Sequence, residues 1–198
     1  MAKCRVCGKE AEFKIKNYNL VICRECFLKR LYRRIEETIR KYRMFGRDEP
    51  ICVPVQGYNA LEVAEILGEM GYRIQVVGES EPIPQGGVVA LGSLLEDEVA
   101  NVILSILNWE LKDDIFPVFQ KGGTRFVKPL CLITEEEMDI FREIEGIEKR
   151  KGEENIIKRR MKERKLLSIG FWLSFYKSFL REHALLFEEG TRNSYFTK

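Results

Sequence analysis

Histidine is almost missing from this sequence: His183 is the only one in 198 residues. That scarcity excludes a multi-histidine metal site and leaves little for histidine acid–base catalysis. Long apolar runs are missing too. None approaches the ~18 residues that a membrane-spanning helix needs, so no membrane span is expected. Neither sign of charge dominates, with 33 Lys and Arg against 31 Asp and Glu. Net charge therefore names no partner, and only the distribution of charge along the chain can. No secretory segment precedes the first cysteines, which points to a reducing compartment, the cytoplasm. The length allows one mid-sized core plus a small module.

What is present begins with four cysteines. Cys4-Arg-Val-Cys7 is followed, after fifteen residues, by Cys23-Arg-Glu-Cys26. Two C-x2-C pairs at this separation match a four-thiolate zinc site, each pair offering two sulfurs from one tight turn. Gly8 follows the first pair, where such a turn often needs positive φ. Two disulfides or a redox C-x-x-C are the competing readings. Cys4, Cys7, Cys23 and Cys26 are thus the expected ligands of a structural Zn2+, in a zinc ribbon over residues 1–27.

The rest alternates between strand and helix patterns. Residues 12–16 alternate like a strand before a turn at 17–19. A helix is expected over 27–45, with Leu28, Leu31, Ile35, Ile39, Tyr42 and Phe45 as its apolar stripe, stopped by Gly46. Its other faces carry Lys29, Arg30, Arg33, Arg34, Arg40, Lys41 and Arg43. Strands follow at 51–55, 73–77, 88–91 and 125–127, and helices at 59–70 and 96–107. Pro54 costs its strand a ladder bond, so irregularity is expected there. Thr134 and Glu137 form a capping box opening a helix over 135–144. A charged helix over 148–165 and an aromatic one over 171–187 close the chain. In the latter, Phe171, Phe175, Phe179 and Leu186 share a face that Trp172, Tyr176 and Leu180 widen. This order predicts an α/β fold: a reduced parallel sheet of about four strands flanked by helices.

A strand, a glycine turn and a helix make a natural anion site. Here that turn reads Gln56-Gly57-Tyr58-Asn59-Ala60-Leu61, with one glycine and neither a lysine nor a hydroxyl. By itself it reads as an ordinary strand–helix connection. Cys52 and Cys131 sit beside strand residues and read as small buried hydrophobes.

The order of these pieces resembles the tRNA 2-thiolation enzymes, 2-thiouridine synthetase type, of the PP-loop ATPase superfamily. The ribbon and the helix through Arg33-Arg34-Ile35-Glu36-Glu37-Thr38-Ile39-Arg40-Lys41-Tyr42 are similar to that family's zinc module and basic helix. Ala90-Leu91-Gly92-Ser93-Leu94-Leu95-Glu96-Asp97-Glu98-Val99-Ala100 follows its Ala-Thr-Gly-His-Asn-Leu-Asp-Asp-Glu-Ala pattern, and Val127-Lys128-Pro129-Leu130 its Ile-Lys-Pro-Leu strand end. Gly190-Thr191-Arg192 is similar to its Pro-Gly-Thr-Lys segment. The resemblance implies a PP-loop-like domain over 48–147, after a basic linker helix over 28–47 and before a helical extension over 148–198.

The departures fall where the family does its chemistry. Its Ser-Gly-Gly-Lys-Asp-Ser loop stands here as Gln56 to Leu61, so only Gly57 survives, and Ser93 replaces its histidine. Gln56, Gly57, Tyr58, Asn59, Gly92 and Ser93 are the remnant of a nucleotide loop, and ATP binding by it is doubtful. The family's catalytic cysteines have no counterparts, the middle segment being replaced by the loop 78–87. Glu96 and Asp97 remain, and read as a match to a helix dipole on a solvated face. The expected function is a non-catalytic relative that binds tRNA or other RNA through its basic helix. It would act as a regulatory or scaffold subunit, as a homo-oligomer or beside an active homologue. An active tRNA-thiolating enzyme with a remodelled site, and an oligomeric zinc scaffold without RNA contact, are the alternatives.

Overall fold

A computed structural model describes residues 2–78, 81, 86–149, 156–163 and 168–183. The end of the aromatic segment, Gly190-Thr191-Arg192, most of the 78–87 loop and parts of the charged 148–165 segment lie outside the described residues.

The N-terminal module is a small hairpin with its cysteine turns at one end. β1 (Phe13–Ile15) pairs antiparallel with β2 (Leu20–Ile22), Phe13 opposite Ile22. A 3-10 turn joins them and ends on Asn19 in the left-handed region, at φ 46°. α1 (Arg24–Lys41) starts on the second cysteine turn itself, with Cys23 as its N-cap. It thus begins and ends earlier than the periodicity suggested. The end is set by a Schellman turn rather than by Gly46. Met44 N–H bonds the Ile39 carbonyl at 3.1 Å, Arg43 N–H bonds that of Arg40 at 3.3 Å, and Arg43 takes φ 49°. Phe27, Leu31, Ile35 and Ile39 form the buried stripe, so Phe27 displaces the expected Leu28.

The main sheet has five strands in the order β4-β3-β5-β7-β6. β3 (Ile51–Pro54), β4 (Ile74–Val77), β5 (Val88–Ala90) and β7 (Thr124–Val127) are parallel. The fifth strand, β6 (Val118–Lys121), was not expected. It pairs antiparallel with β7 across Gly122 and Gly123, at φ 59° and 79°. Two successive positive φ angles suit a tight hairpin turn, and glycine adopts them at no steric cost. Pro54 ends its strand opposite Val77, where a missing N–H costs the ladder little.

α2 (Ala60–Glu69) crosses from β3 to β4, and α3 (Leu95–Leu107) follows β5. α4 (Glu135–Glu145) carries the expected capping box. Thr134 Oγ1 accepts from Glu137 N–H at 3.2 Å, and Glu137 accepts from Thr134 N–H at 3.1 Å. α4 also anchors the N-terminal module, since Glu136 accepts from the N–H groups of Lys16 and Asn17 at 2.7 and 3.0 Å. α5 (Ile156–Glu163) packs on α3. α6 (Ile169–Glu182) also packs on α3, but not by the expected face. Trp172, Tyr176, Phe179 and Leu180 point inward, whereas Phe171 is exposed. The inward edge follows the hydroxyl of Tyr176, which reaches the buried carboxylate of Glu98 at 3.1 Å. Among the described residues no helix is long and apolar enough to cross a membrane.

Candidate functional site

The four N-terminal cysteines converge. Their sulfurs all lie within 4.8 Å of one another, with Cys7 and Cys23 3.6 Å apart. Tetrahedral zinc with Zn–S bonds of about 2.3 Å has sulfur–sulfur edges of about 3.8 Å, so the spacing fits one ion. None of the four is in a disulfide. Cys4, against the upward push of burial, is drawn down to about 6 by the backbone of Cys23, Cys7 and Val6. Cys26 is pushed up to about 12 by its hydrogen bond with Cys7 and by burial. Such a tetrad sheds protons when a cation enters. Cys52 and Cys131 are buried in the main domain, apart from it.

The second region is the crevice beyond the carboxyl ends of β3 and β5. The chain leaves β3 toward β4 on one side and returns to β5 on the other. An open parallel sheet places its ligand site at such a switch point. Here the two loops bordering the crevice touch. A Cβ on Gly92 would come within 2.1 Å of the Tyr58 carbonyl oxygen and 2.8 Å of Asn59 Cβ. Only glycine allows that approach. Asn59 caps α2 at φ 55° and turns its side chain inward. Its Nδ2 donates to the Gly92 carbonyl at 2.7 Å, and its Oδ1 accepts from Arg142 of α4. Arg142, itself buried, also donates to Glu62 at 2.5 Å and Asp139 at 2.6 Å. Within the turn, Gly57 N–H is bonded to the Pro54 carbonyl and Ala60 N–H to that of Gly57. Two donors that could face a phosphate are therefore spent.

In the same turn, the Tyr58 ring has the Lys158 ammonium 5.2 Å from its centroid. Lys158 pairs with Asp97 at 2.6 Å, and Asp97 also accepts from Leu94 N–H at 3.0 Å. Glu96 accepts from Glu135 N–H at 3.0 Å, serving the first turn of α4. Burial pushes its carboxyl up to about 7, against its backbone hydrogen bonds with Glu135 and Glu96. The solvated face expected for Glu96 and Asp97 is therefore corrected: both are tied to partners within the fold. Around Gly57, two backbone N–H groups and the Asn59 amide are thus engaged within the fold. Ser93 lies aside, lining a cavity of about 390 Å3 with Lys128, whose ammonium is held by Glu98 at 2.8 Å and by the Asp114 carbonyl. Gln56 is exposed at the rim.

The third region is the basic surface of α1. Lys29, Arg33, Arg40, Lys41 and Arg43 are exposed, whereas Arg30 and Arg34 are half-buried. Arg34 is engaged inside the fold, donating to Glu137 and to the Leu132 carbonyl. Arg33 pairs with Glu37 at 3.5 Å, one turn on. Sequence reasoning missed Arg142, Tyr18 and Lys177. Each acts across elements far apart in the chain, and no local pattern marks them.

No family model matches the chain. Three curated proteins do, all named tRNA-5-methyluridine(54) 2-sulfurtransferase. That of Thermotoga maritima is 34% identical over 76 residues, 38% of this chain and 25% of the relative. That of Pyrococcus horikoshii is 34% identical over 74 residues, 37% and 24% respectively. That of Thermus thermophilus is 34% identical over 71 residues, 35% and 22%. The match thus spans about a quarter of the relatives' length. Among solved structures, the U34-tRNA thiolase NcsA from Methanococcus maripaludis with its 4Fe–4S cluster superimposes with a TM-score of 0.65. At 16% identity it covers 91% of this chain and 88% of the other, and it shows the common fold.

Proposed function

We propose that this chain, a relative of the tRNA 2-thiolation enzymes of the PP-loop ATPase superfamily, is a non-catalytic RNA-binding subunit. It keeps the thiolase fold as a platform for tRNA or another RNA and acts as a regulatory or scaffold partner, as a homo-oligomer or beside an active homologue. One observation carries the reading: Asn59, standing where the family's lysine would be, bridges Gly92 and Arg142 across the crevice. Phosphate transfer needs aligned donors and a cation clamp there, and a side chain that ties the walls together offers neither.

The cysteine tetrad holds a structural Zn2+ that fixes the start of α1, and its thiolates suit the cytoplasm. Elemental analysis should return one zinc per chain; iron in its place would overturn the assignment. The basic α1 surface supplies salt-dependent RNA affinity.

Magnesium-ATP tests the central claim. It should neither raise the melting temperature nor be consumed by the purified chain, and turnover would sink the reading. An ATP-using enzyme with a remodelled site is the second reading, favoured only by the cavity beside Ser93. The engagement of Lys128 by Glu98 and Asp114 weighs against it.

A further inference from the structure

A seam runs between α1 and α6, floored by the tyrosine of the N-terminal turn. Its first hollow, about 230 Å3, is lined by Tyr18, Arg30, Arg34, Lys41 and Lys177, with Glu37 at its edge. Four cations therefore face one carboxylate, and that carboxylate is paired with Arg33. Arg34 is already engaged by Glu137. Among the described residues no carboxylate pairs with Arg30, Lys41 or Lys177. Like charges gathered in a half-enclosed hollow repel one another more strongly than in open water.

The arrangement is also held in place. The Tyr18 ring lies 5.3 Å from the Arg30 guanidinium carbon and 5.8 Å from that of Arg34, so one aromatic ring contacts both forks. Arg30 Nε and the hydroxyls of Tyr18 and Tyr42 are buried without a hydrogen-bond partner. Buried polar atoms without partners are uncommon in folded proteins and call for an explanation. Lys177 is pushed below the ordinary lysine range by partial burial and then by the charges of Lys41 and Arg34. A second hollow of about 690 Å3 shares Lys41 and Lys177 with the first and adds Tyr42, Ser178 and Arg181. Two adjoining hollows that share their cations suit a chain of anions better than one free anion.

We infer that the α1–α6 seam is a phosphate track, seating successive backbone phosphates of an RNA strand over Arg30, Lys41 and Lys177 and on toward Arg181. The inference rests on the RNA-binding reading and gives it an address. It also shifts the contact from the outer face of α1 to a groove that needs α6. Guanidinium forks and ammonium groups hold phosphate oxygens without reading sequence.

The test is fluorescence anisotropy of a labelled, unmodified tRNA transcript titrated with the full-length, metal-loaded protein across a series of KCl concentrations. Lys177 is exposed, so its substitution should leave the fold intact, which a melting curve checks. Lys177→Ala should weaken binding several-fold and flatten the log–log salt slope by about 1. Lys177→Arg should restore both values, and Lys121→Ala on the distant β6–β7 turn should change neither. Wild-type binding with an unaltered affinity and slope in Lys177→Ala would overturn the track and leave the RNA-binding reading standing. Arginine failing as badly as alanine would overturn it as well, because charge would not be the cause. If the wild-type protein binds no tRNA, both readings fall together.

Discussion

Arg142 meets two demands at once beside the crevice. It neutralises Glu62, which is buried, and it fixes the amide of Asn59. Removing one partner of a buried ion pair strands the other, at a cost of about 3–5 kcal/mol. Arg142→Met should lose that much in urea unfolding, and a loss under about 1 kcal/mol would mean that the bridge is weak. Glu96 has the opposite character. Its carboxyl is raised from 4.5 to about 7 by burial, with Glu135 adding to the shift and Lys158 opposing it. Between those values the folded chain holds a proton that the unfolded chain has released, so stability falls as pH rises from about 4.5 through 7. The drop is on the order of 3 kcal/mol, at 1.36 kcal/mol per unit. Thermal melts of Glu96→Gln, which cannot ionise, should show a flatter pH profile than wild type over that window.

α1 ends on a residue poorly suited to its backbone. Arg43 occupies the left-handed position of the Schellman turn, which costs a side-chain-bearing residue roughly 1 kcal/mol. Arg43→Gly should therefore raise the unfolding midpoint despite losing a surface charge, and a lowered midpoint would show that the arginine makes up for its conformation elsewhere. The helix itself was legible because its apolar period repeats over several turns, as were the Thr134–Glu137 box and the four parallel strands. β6 escaped because four residues beside a Gly-Gly turn carry little pattern of their own. The inward edge of α6 was misjudged because five aromatic side chains leave its amphipathic phase ambiguous, and Tyr176 resolves it only through contact with Glu98. The site divides in the same way. The cysteine tetrad could be read from spacing, since each ligand pair is local. The Asn59 bridge joins residues 33 and 83 positions apart, which no window along the chain brings together.

The N-terminal module and the sheet domain are one packed body at the α1–α4 contact. Arg34 docks on Glu137, and Glu136 holds the Lys16 and Asn17 amides. Stripping the metal with a chelator should raise amide hydrogen exchange across residues 4–26 and the opening turn of α1, while β3, β5 and β7 stay protected. Equal protection with and without chelator would show that the ion contributes nothing to the module's order.

α1 takes its first turn from the second cysteine knuckle, and a helix pays most of its entropy in that first turn. On the ribosome, residues 4–41 emerge ahead of every strand of the main sheet. A captured ion would seed an ordered stem while the rest is still being translated, and each later segment would collapse onto a template already in place. Scarcity of the metal during synthesis would then slow the whole domain's maturation rather than merely unlatch its tip.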